Sequence, residues 1–108
     1  MSTWLEVCQL DRLLPDSGVC ALVEDKQVAI FRLGEGEELY ALDNYDPFSK
    51  ANVLSRGIIG DLKGEAVVAS PVYKQHFVLS SGQCLEDESI KLTTYPVKVE
   101  NGAIQVQA

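Results

Sequence analysis

Residues 70–82 read Ser-Pro-Val-Tyr-Lys-Gln-His-Phe-Val-Leu-Ser-Ser-Gly and form the segment from which the fold is most readily predicted. The apolar segment before it, Glu65–Ala69, predicts a buried strand centred on Val67 and Val68. His76–Leu79 is apolar again and predicts the hairpin partner of that strand. Ser81-Gly82 is a turn dipeptide, so we expect the chain to reverse after the second strand. The polar residues between the two strands therefore predict a loop at the end of a hairpin.

Short segments on both sides of this hairpin also have the composition of strands separated by tight turns. Val97 and Val99 alternate with polar residues, as do Ile104 and Val106, which predicts two half-buried strands. The dipeptide between them, Asn101-Gly102, tolerates positive φ angles and predicts a two-residue type I′ hairpin. Further strands are predicted at Trp4–Cys8, Val19–Val23, Val28–Leu33 and Glu38–Leu42, with one helical turn at Leu10–Leu14. The predicted fold class is all-β, a single domain over residues 1–108 in which small antiparallel sheets form a sandwich or barrel.

The segment from Asp43 to Lys63 has little periodicity and contains the breakers Pro47, Gly57 and Gly60. Connections of this length without regular structure are usually functional. The sequence therefore predicts a long functional loop, which Ile58 and Ile59 are expected to anchor to the core.

The charge and hydropathy of the chain exclude several classes of partner. The 108 residues carry a formal net charge of −7, with 16 acidic and 9 basic side chains. A nucleic-acid partner would require clustered Lys and Arg, so none is expected. No apolar run approaches the ~18 residues of a membrane span. Residues 1–16 do not have the pattern of a signal peptide, so the predicted location is the cytoplasm. The excess of acidic residues is explained most simply by solubility. The alternative explanation is an acidic face that binds a basic patch on a partner protein.

The three cysteines are not arranged as a recognisable site. Cys8, Cys20 and Cys84 are widely spaced and form no Cys-x-x-Cys pair, which excludes a zinc knuckle or dithiol motif. Cys8 and Cys20 lie in apolar segments and are expected to be buried, whereas Cys84 follows a turn and is expected to be more exposed. None is predicted to be catalytic, because no acid–base partner is recognisable nearby.

Two loops give the sequence a family resemblance. The first reads Asn44-Tyr45-Asp46-Pro47, and the second begins Ser70-Pro71-Val72-Tyr73. The region from about residue 44 to residue 82 resembles the cluster-binding part of Rieske iron–sulfur proteins, whose loops carry Cys-x-His and Cys-Pro-x-His. On that pattern Asn44 and Ser70 take the cysteine positions, and Asp46 and Tyr73 take the histidine positions. The resemblance implies a Rieske-like fold with a small pair of loops.

The resemblance departs from the Rieske pattern at every ligand. A Rieske centre needs two thiolates on one iron and two imidazoles on the other. An amide, a carboxylate, a hydroxyl and a phenol supply neither. We therefore expect no [2Fe–2S] cluster and no other metal in this chain. We expect instead that Asn44, Asp46, Ser70 and Tyr73 form a hydrogen-bonded polar network between the loops.

This set of replacements is similar to that in the small subunits of bacterial NAD(P)H-dependent nitrite reductases. The strings Asn-Tyr-Asp and Ser-Pro-Val-Tyr-Lys-Gln-His-Phe carry that resemblance. It implies a non-catalytic subunit that binds a large catalytic subunit and acts in nitrate assimilation. It implies further that the large subunit carries FAD, an iron–sulfur cluster and sirohaem and reduces nitrite to ammonium.

The loop tips are the predicted partner interface. Aromatic and basic groups on rigid loops are typical of protein interfaces. His76, the only histidine, falls at a non-ligand position and is not predicted to bind metal. Phe48 has an alternative place in the core. The candidate interface residues are Tyr45, Pro47, Phe48, Lys74, Gln75 and His76.

Two other functions remain open at this point. A Rieske-type ferredoxin would need the Cys-x-His and Cys-x-x-His ligands that the chain lacks. A free-standing binding module for another redox enzyme would need only the loops. A self-sufficient enzyme is not predicted, because no nucleophile–base pair, phosphate loop or metal set can be identified.

Overall fold

Segments rich in apolar residues, alternating with polar ones only in some of them, form short strands along nearly the whole chain of the computed structural model, which describes residues 4–62 and 64–107. Two 3-10 helices, Leu10–Arg12 and Leu54–Arg56, interrupt them. The strands are β1 (Trp4–Gln9), β2 (Ser17–Val23), β3 (Lys26–Leu33), β4 (Glu38–Asp43), β5 (Tyr45–Asp46), β6 (Ala51–Asn52), β7 (Ile58–Leu62), β8 (Glu65–Ala69), β9 (His76–Val78), β10 (Thr94–Tyr95), β11 (Val97–Glu100) and β12 (Ala103–Gln107).

Antiparallel pairing joins these strands into small sheets, so the all-β prediction is confirmed. The sheets have the orders β1-β12-β11, β10-β4-β3-β2, β5-β6 and β7-β8-β9. Within the last sheet Val68 lies opposite both Ile59 and Phe77, and this row faces the core. The predicted hairpin of β8 and β9 is therefore present, with β7 added on its other side. No helix among the described residues has the length and apolar character needed to cross a bilayer.

The turn predicted at Asn101-Gly102 has the expected geometry. Asn101 has φ of 53° and Gly102 has φ of 78°, as a type I′ turn requires. β11 and β12 pair on either side of it from Val97 opposite Val106 to Glu100 opposite Ala103. The prediction of this hairpin from the Asn101-Gly102 dipeptide is therefore confirmed.

Two clusters of buried side chains form the core, and one of them supports the loops. The first contains Phe31, Leu54, Phe77 and Leu79 and packs beneath the region of residues 44–82. The second lies between β1, β3 and β12 and is built around Ile30 and Ile104. The core beneath the two loops thus includes side chains from the strands that flank those loops.

The prediction of an irregular loop from Asp43 to Lys63 is wrong for most of its length. It contains β5, β6, a 3-10 helix and β7, although Lys63 itself lies outside the described residues. The two-residue strands are too short to show periodicity, and Gly60 interrupts the alternation in β7. Ile58 does not anchor the segment, because it is 68% exposed; Ile59 is partly buried, and the fully buried Leu54 is the main anchor.

The expected burial of two cysteines is also wrong. Cys84 is buried, because its backbone pairs with that of Phe77 and carries the side chain into the core. Burial is the largest influence on its thiol and raises its pKa. Cys20 is exposed because β2 is the edge strand of its sheet. Cys8 is only partly buried.

Candidate functional site

The two loops of the resemblance meet at the end of the molecule that carries β5 and β9. In the first loop the Lys50 N–H donates to the carbonyl of Asp46 at 2.7 Å. In the second loop the Lys74 N–H donates to the carbonyl of Ser70 at 3.1 Å, and the Ser70 N–H donates to the carbonyl of Gln75 at 2.9 Å. Each loop is therefore a closed turn that begins at one of the positions assigned to a Rieske ligand.

A buried hydrogen bond joins these two turns. The Ser70 hydroxyl donates to Oδ2 of Asp46, and both residues are fully buried. The same carboxylate accepts the Phe48 N–H at 2.9 Å through Oδ1 and the Ser49 hydroxyl at 3.0 Å through Oδ2. A carboxylate with these donors is well satisfied, which compensates for its removal from water. Asp46 and Ser70 thus hold the loops together directly.

Asn44 is buried too, but it belongs to a different set of contacts. Its Oδ1 accepts the Ser55 N–H at 2.7 Å, and its Nδ2 donates to the Asn52 carbonyl at 3.1 Å. Nδ2 also donates to Oε1 of Gln27 at 3.2 Å and to the thiol of Cys20 at 3.4 Å. Asn44 therefore fixes the first loop against β2, β3 and the second 3-10 helix.

The prediction of a four-membered network is wrong at Asn44, which bonds to other partners, and it is also wrong at Tyr73. Its side chain is 61% exposed, and no hydrogen bond to its phenol is present among the described residues. Asp46 and Ser70 contact each other directly, so no gap remains between them for a phenol ring. Tyr73 is presented to solvent by the second loop.

The predicted interface residues of the first loop divide between surface and core. Tyr45 is 44% exposed and Pro47 is half-buried. Phe48 packs on the core, with its ring centroid 6.2 Å from that of Phe77 and a tilted geometry. The alternative place for Phe48 is therefore the observed one, although the residue remains half-buried.

Of the three predicted interface residues in the second loop, only Lys74 is exposed. Its φ of 67° is unusual for a side chain with a Cβ. Gln75 is half-buried, and its Oε1 has no hydrogen-bond partner among the described residues.

His76 is engaged by a carboxylate. Its Nδ1 lies 2.6 Å from Oε2 of Glu86, and its N–H donates to Oε1 of the same residue at 2.7 Å. Burial raises the pKa of Glu86, but the bonds from His76 outweigh it and leave that pKa below its usual range. Within residues 4–62 and 64–107, no group of three or more His, Cys, Asp or Glu side chains could hold a metal ion.

A second hydrogen-bonded pair steadies the base of the first loop. The Tyr95 hydroxyl donates to Oδ1 of Asp43 at 2.5 Å. Burial first, and then this hydrogen bond and the charge of Asp43, raise the pKa of Tyr95 to about 12. The pair ties β10 to the end of β4, next to Asn44.

Sequence reasoning missed two features of the first loop. Ser49 completes the donor set of Asp46, and Lys50 ends the loop with φ of 59°. The string Asp-Pro-Phe-Ser carries a signal for the turn itself, because an aspartate commonly accepts the N–H two residues further on, here that of Phe48, but it carries none for the added Ser49 hydroxyl. No local signal indicates a left-handed lysine.

Comparison with known proteins shows which family this chain is similar to. Residues 3–107 match the family model described as Rieske-like [2Fe-2S] domain. The NADH nitrite reductase small subunit of Escherichia coli K12 is 47% identical over 107 residues, which cover 99% of both chains. This chain belongs to the nitrite reductase small-subunit family. The family resemblance inferred from the two loops is thus confirmed.

A solved structure and a longer protein are also similar to this small-subunit chain. The NMR structure of the Escherichia coli protein NirD superimposes with a TM-score of 0.94 at 46% identity and covers 100% of this chain and 98% of that one. A nitrite reductase [NAD(P)H] large subunit of Klebsiella oxytoca contains a segment 44% identical over 103 residues, which is 95% of this chain and 11% of that one.

The description of the family model includes a [2Fe–2S] cluster, which requires two thiolate and two imidazole ligands. Asn44, Asp46, Ser70 and Tyr73 contribute no thiolate and no imidazole. Asp46 and Ser70 are committed to each other, and Tyr73 points to solvent. These residues do not fit a [2Fe–2S] centre.

Proposed function

We propose that this chain is the non-catalytic small subunit of a cytoplasmic NAD(P)H-dependent nitrite reductase, and that it binds the large subunit that reduces nitrite to ammonium. The observation that carries the proposal is the Klebsiella oxytoca large subunit, which contains a segment similar to 95% of this chain. A domain that can be part of the same polypeptide as the catalytic region is well suited to bind that region as a separate chain. The role proposed for the complex is nitrate assimilation.

The cofactors proposed for this complex belong to the large subunit and are FAD, an iron–sulfur cluster and sirohaem. For this chain we propose none. What supports this is the donor set at the four positions, where an amide, a carboxylate, a hydroxyl and a phenol replace soft sulfur and imidazole donors. The scaffold would then position the partner-binding loops without storing electrons.

Protein purified without oxygen is expected to be colourless and to contain no stoichiometric iron or acid-labile sulfide. The reason is that oxygen donors cannot replace the four Rieske ligands. Iron and sulfide assays, with an ultraviolet–visible spectrum, measure this directly. A visible spectrum with two irons per chain would support an electron carrier of the ferredoxin type.

Direct binding to the large subunit is the test of the main proposal. We expect the two purified chains to form a complex in size-exclusion chromatography, and the proposed loop interface to be protected from hydrogen exchange in it. We also expect nitrite reduction by the large subunit to rise when this chain is added. A large subunit that neither binds the chain nor responds to it would leave a binding module for another redox enzyme as the better description.

A further inference from the structure

The exposed charges of the two loops have a sign opposite to that of the chain. The loops 45–50 and 70–75 contain three charged residues, Asp46, Lys50 and Lys74. Asp46 is fully buried, so both exposed charges are lysines in a chain of net charge −7. Neither lysine forms an ion pair within residues 4–62 and 64–107. The loops therefore carry a positive patch on an acidic protein.

The backbone at these two lysines is left-handed. Lys50 has φ of 59° and Lys74 has φ of 67°. Each closes a turn by donating its N–H to the carbonyl of Asp46 or of Ser70, the two residues that are hydrogen-bonded to each other. Glycine would adopt these φ angles without strain, whereas lysine adopts them at a cost. The chain thus places long cationic side chains where its own fold would favour glycine.

Exposed apolar side chains lie in the second loop and on the sheet that carries it. Tyr73 is 61% exposed and Val72 is 46% exposed, both in the second loop. Ile58, opposite Ala69 in the register, lies on the same face of the sheet as His76 because paired residues point the same way. Exposed aromatic and aliphatic groups next to unpaired cations are typical of a protein contact surface.

We propose that this end of the molecule binds an acidic surface of the large subunit, in which Asp and Glu carboxylates surround an apolar pocket. Tyr73 enters the pocket, and Lys50 and Lys74 pair with the carboxylates on either side. The inference rests on the proposed function, because the large subunit is the partner. The neighbouring carboxylate, that of Glu86, accepts the His76 N–H and lies beside its Nδ1, so it is paired with the loop's own strand.

Removing the two positive charges tests the electrostatic contacts. In titration calorimetry with the purified large subunit, the Lys50→Gln/Lys74→Gln chain is expected to bind about tenfold more weakly than wild type at low salt. Its affinity is expected to change little between low and high salt, because the screened interactions are already lost. The matched control is Arg12→Gln/Lys91→Gln, which removes the same charge from two exposed residues outside both loops, neither of which forms an ion pair within the described residues. Its affinity is expected to equal that of wild type.

The Lys50→Gly/Lys74→Gly chain separates binding from folding. Glycine relieves the left-handed backbone, so the melting temperature is expected to be equal to or above that of wild type. The affinity is nevertheless expected to fall about tenfold, as for the glutamine variants. Unchanged affinity of both loop variants, with wild type binding normally, would overturn the inference and leave the proposed function intact. Failure of the wild-type chain to bind the large subunit would overturn both.

Discussion

Asp46→Ala is expected to lower the free energy of unfolding by about 3 kcal/mol. The substitution removes a buried carboxylate that accepts hydrogen bonds from the Phe48 N–H and from the hydroxyls of Ser49 and Ser70. The Ser70 hydroxyl would stay buried without its acceptor, the Phe48 N–H and the Ser49 hydroxyl would lose theirs in a partly buried region, and the second loop would lose its direct link to the first. Urea denaturation followed by circular dichroism measures the loss.

Asp87→Ala is the matched control for Asp46→Ala. Asp87 accepts the N–H of Ser89 at 3.0 Å and its hydroxyl at 2.6 Å, so the local motif is similar, but its carboxylate is exposed to solvent. Water replaces the lost hydrogen bonds there, and we expect a much smaller change. Asp46→Asn should lie between the two alanine variants, because an amide keeps the volume but loses one acceptor. Equal effects of the two alanine variants would show that the buried link does not stabilise the loops.

The strands with an alternating or a continuously apolar pattern were predictable from the sequence, because such patterns are typical of strands buried on one face or on both. β8 was predicted with the bounds that the structure has, and β11 and β12 followed from the Asn101-Gly102 turn. β5 and β6 were not predictable, because a two-residue strand is defined by its partner rather than by a pattern. Cys84 illustrates the same limit, since its burial depends on its pairing with Phe77 across a turn.

The candidate site was predictable in its positions and only partly in its contacts. The resemblance located Asn44, Asp46 and Ser70, and all three are buried. It could not indicate that Asn44 bonds to Gln27 and Asn52 rather than to the second loop. Nor could it indicate that Tyr73 points outward. These features depend on how closely the two loops approach, which is decided by packing and not by spacing in the sequence.

The turn that follows β9 is the other position where a small change is expected to have a large effect. Gly82 has φ of 80°, its N–H donates to the Val78 carbonyl at 2.7 Å, and its carbonyl accepts the Leu92 N–H at 2.9 Å. A Cβ at this position would lie 2.2 Å from the Leu92 carbonyl oxygen. Because the atoms of Leu92 that the Cβ would meet are backbone atoms, the clash cannot be relieved by rotating a side chain.

Gly82→Ala is therefore expected to cost about 4 kcal/mol or more, from the left-handed backbone together with the clash. For a domain of this size that loss corresponds to a fall in melting temperature of about 20 °C. Gly34→Ala is the matched control, because Gly34 has φ of 64° and no atom within 4 Å of the added Cβ. It should cost only about 1 kcal/mol, the conformational part alone. Thermal and urea denaturation of both variants give the difference, which measures how closely the Leu92 segment packs on the hairpin. A difference below about 1 kcal/mol would mean that the 82–92 segment moves freely, and that the turn does not hold the second loop against the core.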